Sequence, residues 1–254
     1  MTAQGEQAAA GWRDADFAQS WAERDSFRDL LDFPRRLAAA IVADDNPSPG
    51  TILDVGAGPG AVLSVFLQEF PSARGIWTDA SPAMQDLACE QLAPFGDRVD
   101  YLIVDMTGLN GAALPSQVDV ITTSRAAHHL DRDGLLSFYA DVAARLAPGG
   151  WIVNLDHIGP ASQAGPAGAV GFDDVWDRRL RAARKRFGDT PDGNKHHHNY
   201  PLTSFADHVG ALDAAGITDV EVPWRSFYTC LFMGRKAGSP AGASSVRVPR
   251  PTGR

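Results

Sequence analysis

The segment Ile52-Leu53-Asp54-Val55-Gly56-Ala57-Gly58-Pro59-Gly60 constrains this chain more than any other. An apolar run carrying one acidic residue passes into three alternating glycines. Glycine adopts positive φ without a Cβ clash, and its bare backbone lets amides come close to a ligand, so a strand ending this way cradles a nucleotide-like group. The segment implies that the chain binds a nucleoside-bearing small molecule.

Two cofactor patterns share this glycine run. Gly56, Gly58 and Ala61 satisfy the dinucleotide fingerprint G-x-G-x-x-G/A, and Asp79 follows roughly 20 positions later, where that fingerprint wants an acidic residue. The downstream segments favour a different cofactor. Asp79 closes Gly75-Ile76-Trp77-Thr78 and opens Asp79-Ala80-Ser81-Pro82-Ala83-Met84, a strand end leading into a helix with Ser81 as N-cap and Pro82 at its first position. Asp105 closes Val99 to Val104 and precedes Met106. A fourth strand, Val118 to Thr123, runs into Ser124-Arg125-Ala126-Ala127-His128-His129-Leu130; a helix then leads to Leu146-Ala147-Pro148-Gly149-Gly150 and a strand from Trp151 to Leu155.

In this order the segments resemble the class I S-adenosylmethionine-dependent methyltransferases, in the branch that acts on small molecules, whose signatures read DxGxGxG, DxSPxM, D-M, HHL and L-x-PGG. The resemblance covers residues 51 to 155. It implies an α/β fold: a doubly wound, Rossmann-like, seven-stranded and mostly parallel sheet with an antiparallel last strand, N-terminal helices and a helical cap insertion. The apolar pair Ile217 to Trp224 and Phe227 to Gly234 resembles the end of such a sheet. The cofactor implied is S-adenosylmethionine, with S-adenosylhomocysteine as product, held by Asp54, Gly56, Gly58, Gly60, Asp79, Ala80, Asp105, Met106 and Ser124. Carboxylates accept from the donors such a cofactor offers: the ammonium for Asp54, the ribose hydroxyls for Asp79 and the adenine amine for Asp105. Each aspartate also has a plainer role as the cap of the next helix, least so Asp79, because Ser81 already supplies that cap.

The organisation expected is an N-terminal helical segment (1–50) over the cofactor site, a core (51–158 and 201–236), a cap insertion (159–200) and a flexible tail (237–254). Apolar residues from Phe17 to Val42 fall near helical spacing and break at Pro34, which predicts two helices. Trp21, one turn after Phe17, either lines the acceptor pocket or packs on the core. In the cap, Phe172, Trp176, Leu180, Ala183 and Phe187 mark one helix face, and Arg178, Arg179, Arg181, Arg184, Lys185 and Arg186 the other. That basic run is a solvated face or an anion contact. His196, His197, His198 and Tyr200 follow; adjacent histidines do not converge on one ion from regular structure, so no metal is expected.

A sulfonium is an activated methyl donor, so catalysis needs alignment, and a base only where the acceptor must lose a proton. His157, just past the fifth strand with Asp156 as a possible orienting partner, is the first candidate base; His128 and His197 are the others. His128 and His129 also suit a role supporting their loop. Arg125, with His129, His196, His198, Tyr200 and Trp21, is a candidate acceptor contact, and Arg125 would steer an anionic one or pair with a carboxylate.

The charge balance, 31 Asp plus Glu against 23 Lys plus Arg, repels phosphates and argues against nucleic acid as substrate. Ser124-Arg125-Ala126 also lacks the Asn/Asp-Pro-Pro-aromatic motif of enzymes that methylate exocyclic base nitrogens. Cys89 and Cys230, the only cysteines, read as packed thiols in a reducing cytoplasm. The polar start argues against a signal peptide, and no apolar run approaches membrane-spanning length, so no membrane partner is expected. The expectation is a monomer or homodimer transferring methyl to an O, N or C nucleophile of a small molecule in specialised metabolism. A fold relative using the same cofactor for a cyclisation is the alternative.

Overall fold

The computed structural model describes residues 28–158, 179, 182, 186, 203–226 and 229–238. In chain order the elements are α1 (Arg28–Asp45), β1 (Thr51–Val55), α2 (Ala61–Glu69), β2 (Arg74–Asp79), α3 (Pro82–Leu92), β3 (Val99–Ile103), β4 (Val118–Ser124), α4 (Arg132–Arg145), β5 (Leu146–His157), α5 (Phe205–Ala214), β6 (Ile217–Ser226) and β7 (Thr229–Lys236). The strands form one sheet in the order β3-β2-β1-β4-β5-β7-β6. The first five run parallel, while β7 lies antiparallel to both β5 and β6.

Residue choice follows position in the sheet. Ile52, Leu53 and Val55 of β1, and Val118, Val120 and Ile121 of β4, are buried, as expected of central strands covered on both faces. β6, at the edge, is mostly exposed or half-buried beyond Ile217. One face is covered by α1, α2 and α3 through Leu31, Val42, Phe66, Leu67, Met84 and Leu92. The other is covered by α4 and α5 through Leu135, Phe138, Tyr139, Ala211 and Leu212.

Two local expectations are corrected. Pro34 does not break α1, which runs through it. Pro34 is itself buried, and burial of Leu31, Ala38, Ala39 and Val42 on the same helix outweighs one lost backbone hydrogen bond. Leu146 to Gly150 belongs to β5 rather than to a loop before it: Val118 pairs with Leu146 and Val120 with Trp151, so the surplus residues form a bulge. A Cβ on Gly150 would stand 2.9 Å from the Ala147 carbonyl oxygen and 3.0 Å from that of Asp119, so only glycine fits there.

Both cysteines are free, but Cys89 is exposed on α3; only Cys230 is packed. Arg179, Ala182 and Arg186 are helical and exposed, in keeping with a solvated helix face. Trp21, His196, His197, His198 and Tyr200 lie outside the described residues. No described helix is long and apolar enough to cross a membrane.

Candidate functional site

From β1 the chain moves outward to β2 and β3, then crosses back to β4 on the other side of β1. The carboxyl ends of β1 and β4 therefore border the switch point of the sheet, the crevice where open α/β folds bind ligands. The glycine segment forms the turn there. Gly56, Gly58 and Gly60 have φ of 61°, 53° and 83°. The turn is fastened from β2: Ala57 N donates to the Thr78 carbonyl (3.0 Å), and the Trp77 indole Nε1 donates to the Gly58 carbonyl (2.8 Å).

The three glycines have separate causes. A Cβ on Gly56 would stand 2.6 Å from Ala126 Cβ, so the turns after β1 and β4 touch; on Gly60 it would stand 2.8 Å from buried Leu92. At Gly58 it would meet nothing within 4 Å. Gly60→Ala is expected to cost about 2 kcal/mol of stability, combining the left-handed backbone with the clash, and Gly58→Ala about 1 kcal/mol from backbone alone. Urea denaturation of the two variants checks that ranking.

Acidic side chains surround the turn. Asp79, at the end of β2, accepts from Gly58 N through Oδ2 and from Ser81 N through Oδ1, both at 2.9 Å. Burial raises its carboxyl above the ordinary range, the amides of Gly58, Ser81 and Ala80 offset part of this, and the charge of Asp105 adds to it. Asp54 is buried in β1; its Oδ1 accepts from the Thr122 hydroxyl (2.7 Å), and its Oδ2 has no hydrogen-bond partner among the described residues. Burial pushes its carboxyl up to about 7, against the pull of Thr122, the Leu63 amide and the Arg35 guanidinium. Asp105 is exposed and uses Oδ1 to accept from Thr107 N (2.9 Å) and Oγ1 (2.7 Å), the capping role. Ala80 and Met106 are half-buried beside these aspartates.

The ends of β4 and β5 carry the histidines. Ser124 closes β4 with its Oγ buried and unpaired among the described residues. Arg125 has φ 51°, a left-handed conformation rare for a side chain of its size, and its N donates to the Leu155 carbonyl (3.0 Å). His128 is buried, and its Nδ1 lies 2.6 Å from Asp156 Oδ1. Asp156 also accepts from His128 N (3.0 Å) and His157 N (2.7 Å). Its burial alone would raise the carboxyl, but the charge and hydrogen bond of His128, with His157 and His208 nearby, hold it well below the usual carboxylate range. The imidazoles gather: His128 and His129 have ring centres 4.2 Å apart, and His128 and His157 5.2 Å.

The structure thus brings His128, His129, His157, Arg125 and Ser124 to one edge, next to the glycine turn. It differs from the expected pairing in one respect. The Asp156 side chain holds the ring of His128, whereas the ring of His157 meets Thr229 Oγ1 at 3.1 Å through Nδ1. The strand pleat supplies the reason: consecutive residues of β5 point to opposite faces, so the carboxylate of Asp156 cannot lie along the ring of its neighbour. Sequence reading also missed Thr122, Arg35, Tyr139, Asn154 and His208. The one available signal was Asn154 and Asp156 alternating with Val153 and Leu155, polar residues on a buried face.

Residues 52–150 match the family model described as a methyltransferase domain. The release factor glutamine methyltransferase of Cereibacter sphaeroides is 36% identical over 100 residues, which are 38% of this chain and 34% of that relative. The chain thus spans about a third of the length of this curated relative. Among solved structures, an O-methyltransferase family protein from Burkholderia thailandensis superposes with a TM-score of 0.59 at 19% identity, over 85% of this chain and 60% of that one. Human N-acetylserotonin methyltransferase, in complex with S-adenosylmethionine, gives 0.60 at 16% identity, over 90% of this chain and 58% of that one. Residues 52–150 thus match a methyltransferase domain, and the strand order around that segment is the one implied by the resemblance to the class I S-adenosylmethionine-dependent methyltransferases.

Proposed function

We propose that this protein transfers the methyl group of S-adenosylmethionine to an O, N or C nucleophile of a small molecule in specialised metabolism, in the cytosol. The observation that carries the cofactor half is Asp54: a buried carboxylate oxygen without a donor among the described residues is a place for a cation, and the cofactor brings an ammonium. The rest of the donor set fits. Each Asp79 oxygen accepts one amide and retains a lone pair for a ribose hydroxyl, and the side of Gly58 where a Cβ would stand is open. When bound, the cofactor supplies a methyl group already activated on sulfur. The chain's own residues hold it, exclude water and present the acceptor. In this reading Asp54, Asp79, Asp105, Ser124 and the glycine turn bind the cofactor, while His157, His129 and Arg125 line the acceptor side. Asp156 holds His128 so that Nδ1 donates and Nε2 is the accepting nitrogen, the arrangement of a general base.

The small-molecule half is supported by the acidic balance and by a neighbour whose name specifies N-acetylserotonin. Two free cysteines suit a reducing compartment. The deciding experiment is an acceptor screen read out as S-adenosylhomocysteine, with calorimetric titration of S-adenosylmethionine and NAD beside it. Product formed without demethylated cofactor would favour the cyclisation alternative. Heat from NAD alone would sink the proposal.

Asp54 makes binding pH-dependent. Near pH 6 its carboxyl carries a proton, because its folded pKa is about 7, and an ammonium placed beside it drives that proton off. Affinity for S-adenosylhomocysteine is expected to rise with pH up to about 7 and then level, with about one proton released per ligand bound near pH 6. Calorimetry in buffers of different ionisation enthalpy reads that number. The sign for stability is opposite: the folded chain holds a proton that unfolded Asp54 releases from 3.8 upward, so the contribution of this group is full below 3.8 and is lost as pH rises through about 7.

A further inference from the structure

Behind the His128–Asp156 pair lies a second buried polar chain. Asn154, two residues before Asp156 on β5 and so on the same face, donates from Nδ2 to the Tyr139 hydroxyl of α4 (2.7 Å). That hydroxyl lies 3.0 Å from Nδ1 of His208, on α5. His208 Nε2 lies 3.1 Å from Thr203 Oγ1. Asn154, Tyr139 and His208 are fully buried, and the His208 ring stacks on Phe232 of β7, with centres 5.0 Å apart and planes 13° apart. Ser204 and Asp207 form a capping box that starts α5 and fixes the turn between Thr203 and His208.

Counting protons gives this chain a direction. The Tyr139 oxygen accepts from Asn154, so its own proton goes to His208 Nδ1. His208 must then carry its proton on Nε2 and donate to Thr203. The reverse direction would turn the Asn154 amide and put its two N–H groups where Oδ1 now stands buried without a donor among the described residues, a costlier vacancy than one unfilled acceptor. His128 has the opposite tautomer, since its Nδ1 faces a carboxylate that accepts only.

We infer that His208 is a positioning residue: as a neutral Nε2–H imidazole locked between Tyr139 and Thr203, it orders Asn154 on β5 and leaves the Asp156 side chain to hold the ring of His128. The inference rests on the reading of His128 as the acceptor-side base. The charged and titratable groups facing His208 are Asp156 from β5, His128 from the turn after β4, Tyr139 from α4, and on its own helix Asp207, which pairs with Arg132 at 3.3 Å. Burial lowers the tendency of His208 to protonate, in keeping with the neutral form that the hydrogen bonds select.

Nitrogen-15 imidazole spectra of the full-length protein test the assignment. The wild type should show His208 as the Nε2–H tautomer and a proton on Nδ1 of His128. Tyr139→Phe should release the single tautomer of His208 and move the His128 ring signals. His208→Gln, whose amide can accept from Tyr139 and donate to Thr203, should leave those signals in place, and His208→Leu should move them. Should His208→Leu not fold, Tyr139→Phe carries the same test. An imidazolium or Nδ1–H form at His208, or unmoved His128 signals in folded Tyr139→Phe or His208→Leu, would overturn the inference. The spectra need no acceptor, so their failure is separate from a failure to find methyl transfer.

Discussion

Asp79→Ala is expected to weaken binding of S-adenosylhomocysteine by about a hundredfold or more, roughly 3 kcal/mol. Two effects combine. The substitution removes a carboxylate placed to accept from both ribose hydroxyls through charge-assisted hydrogen bonds. It also removes the brace on the turn, because Gly58 N and Ser81 N both donate to Asp79. Asp79→Asn should lie between, since its carbonyl oxygen still accepts one amide while its NH2 opposes the other. The fold should persist in both, because burial makes the native carboxylate costly and its loss offsets part of the two vacated amides. Isothermal titration on protein whose folding is verified by circular dichroism makes the measurement. An unchanged dissociation constant in folded Asp79→Ala would place the ribose elsewhere.

His128→Ala is expected to lower kcat by about a hundredfold or more for an acceptor that must lose a proton, with little change in cofactor affinity. Asp156→Asn should match it. The native carboxylate accepts from the His128 ring and from two backbone amides, and an amide in its place turns NH2 toward one of these donors and loses the charge that stabilises an imidazolium. His157→Ala should act mainly on the acceptor's KM, because its ring meets Thr229 Oγ1 through Nδ1 while the Asp156 side chain holds the ring of His128. Steady-state kinetics of the three variants with one acceptor found by screening would decide. A normal kcat in His128→Ala together with a dead His157→Ala would move the base to the end of β5.

How far the sequence carries depends on the range of the interaction concerned. The glycine turn, the Ser81 cap with Pro82 after it and the strand ends at Asp79 and Ser124 are written in contiguous residues, since backbone conformation and capping act over a few positions. Even there, tertiary structure overruled local rules: α1 passes through Pro34, where burial is strong, and β5 takes in the Pro148-Gly149-Gly150 segment as a bulge in its pairing with β4. Asp105 shows the limit from the other side, since its observed hydrogen bonds are those of a cap.

By itself, then, the sequence determined the α/β class, the turn at the head of β1 and the acidic residues around it, because each rests on short-range backbone geometry and on the period of buried residues along a strand. The tertiary structure alone decided which imidazole the Asp156 carboxylate holds, why Asp54 is left with a buried oxygen to satisfy, and how Asn154, Tyr139, His208 and Thr203 join into one chain. Those partners lie up to 69 positions apart and meet only because α4 and α5 pack on the same face of β5. Such pairings depend on where side chains point once helices dock on a sheet, and no local pattern encodes that direction.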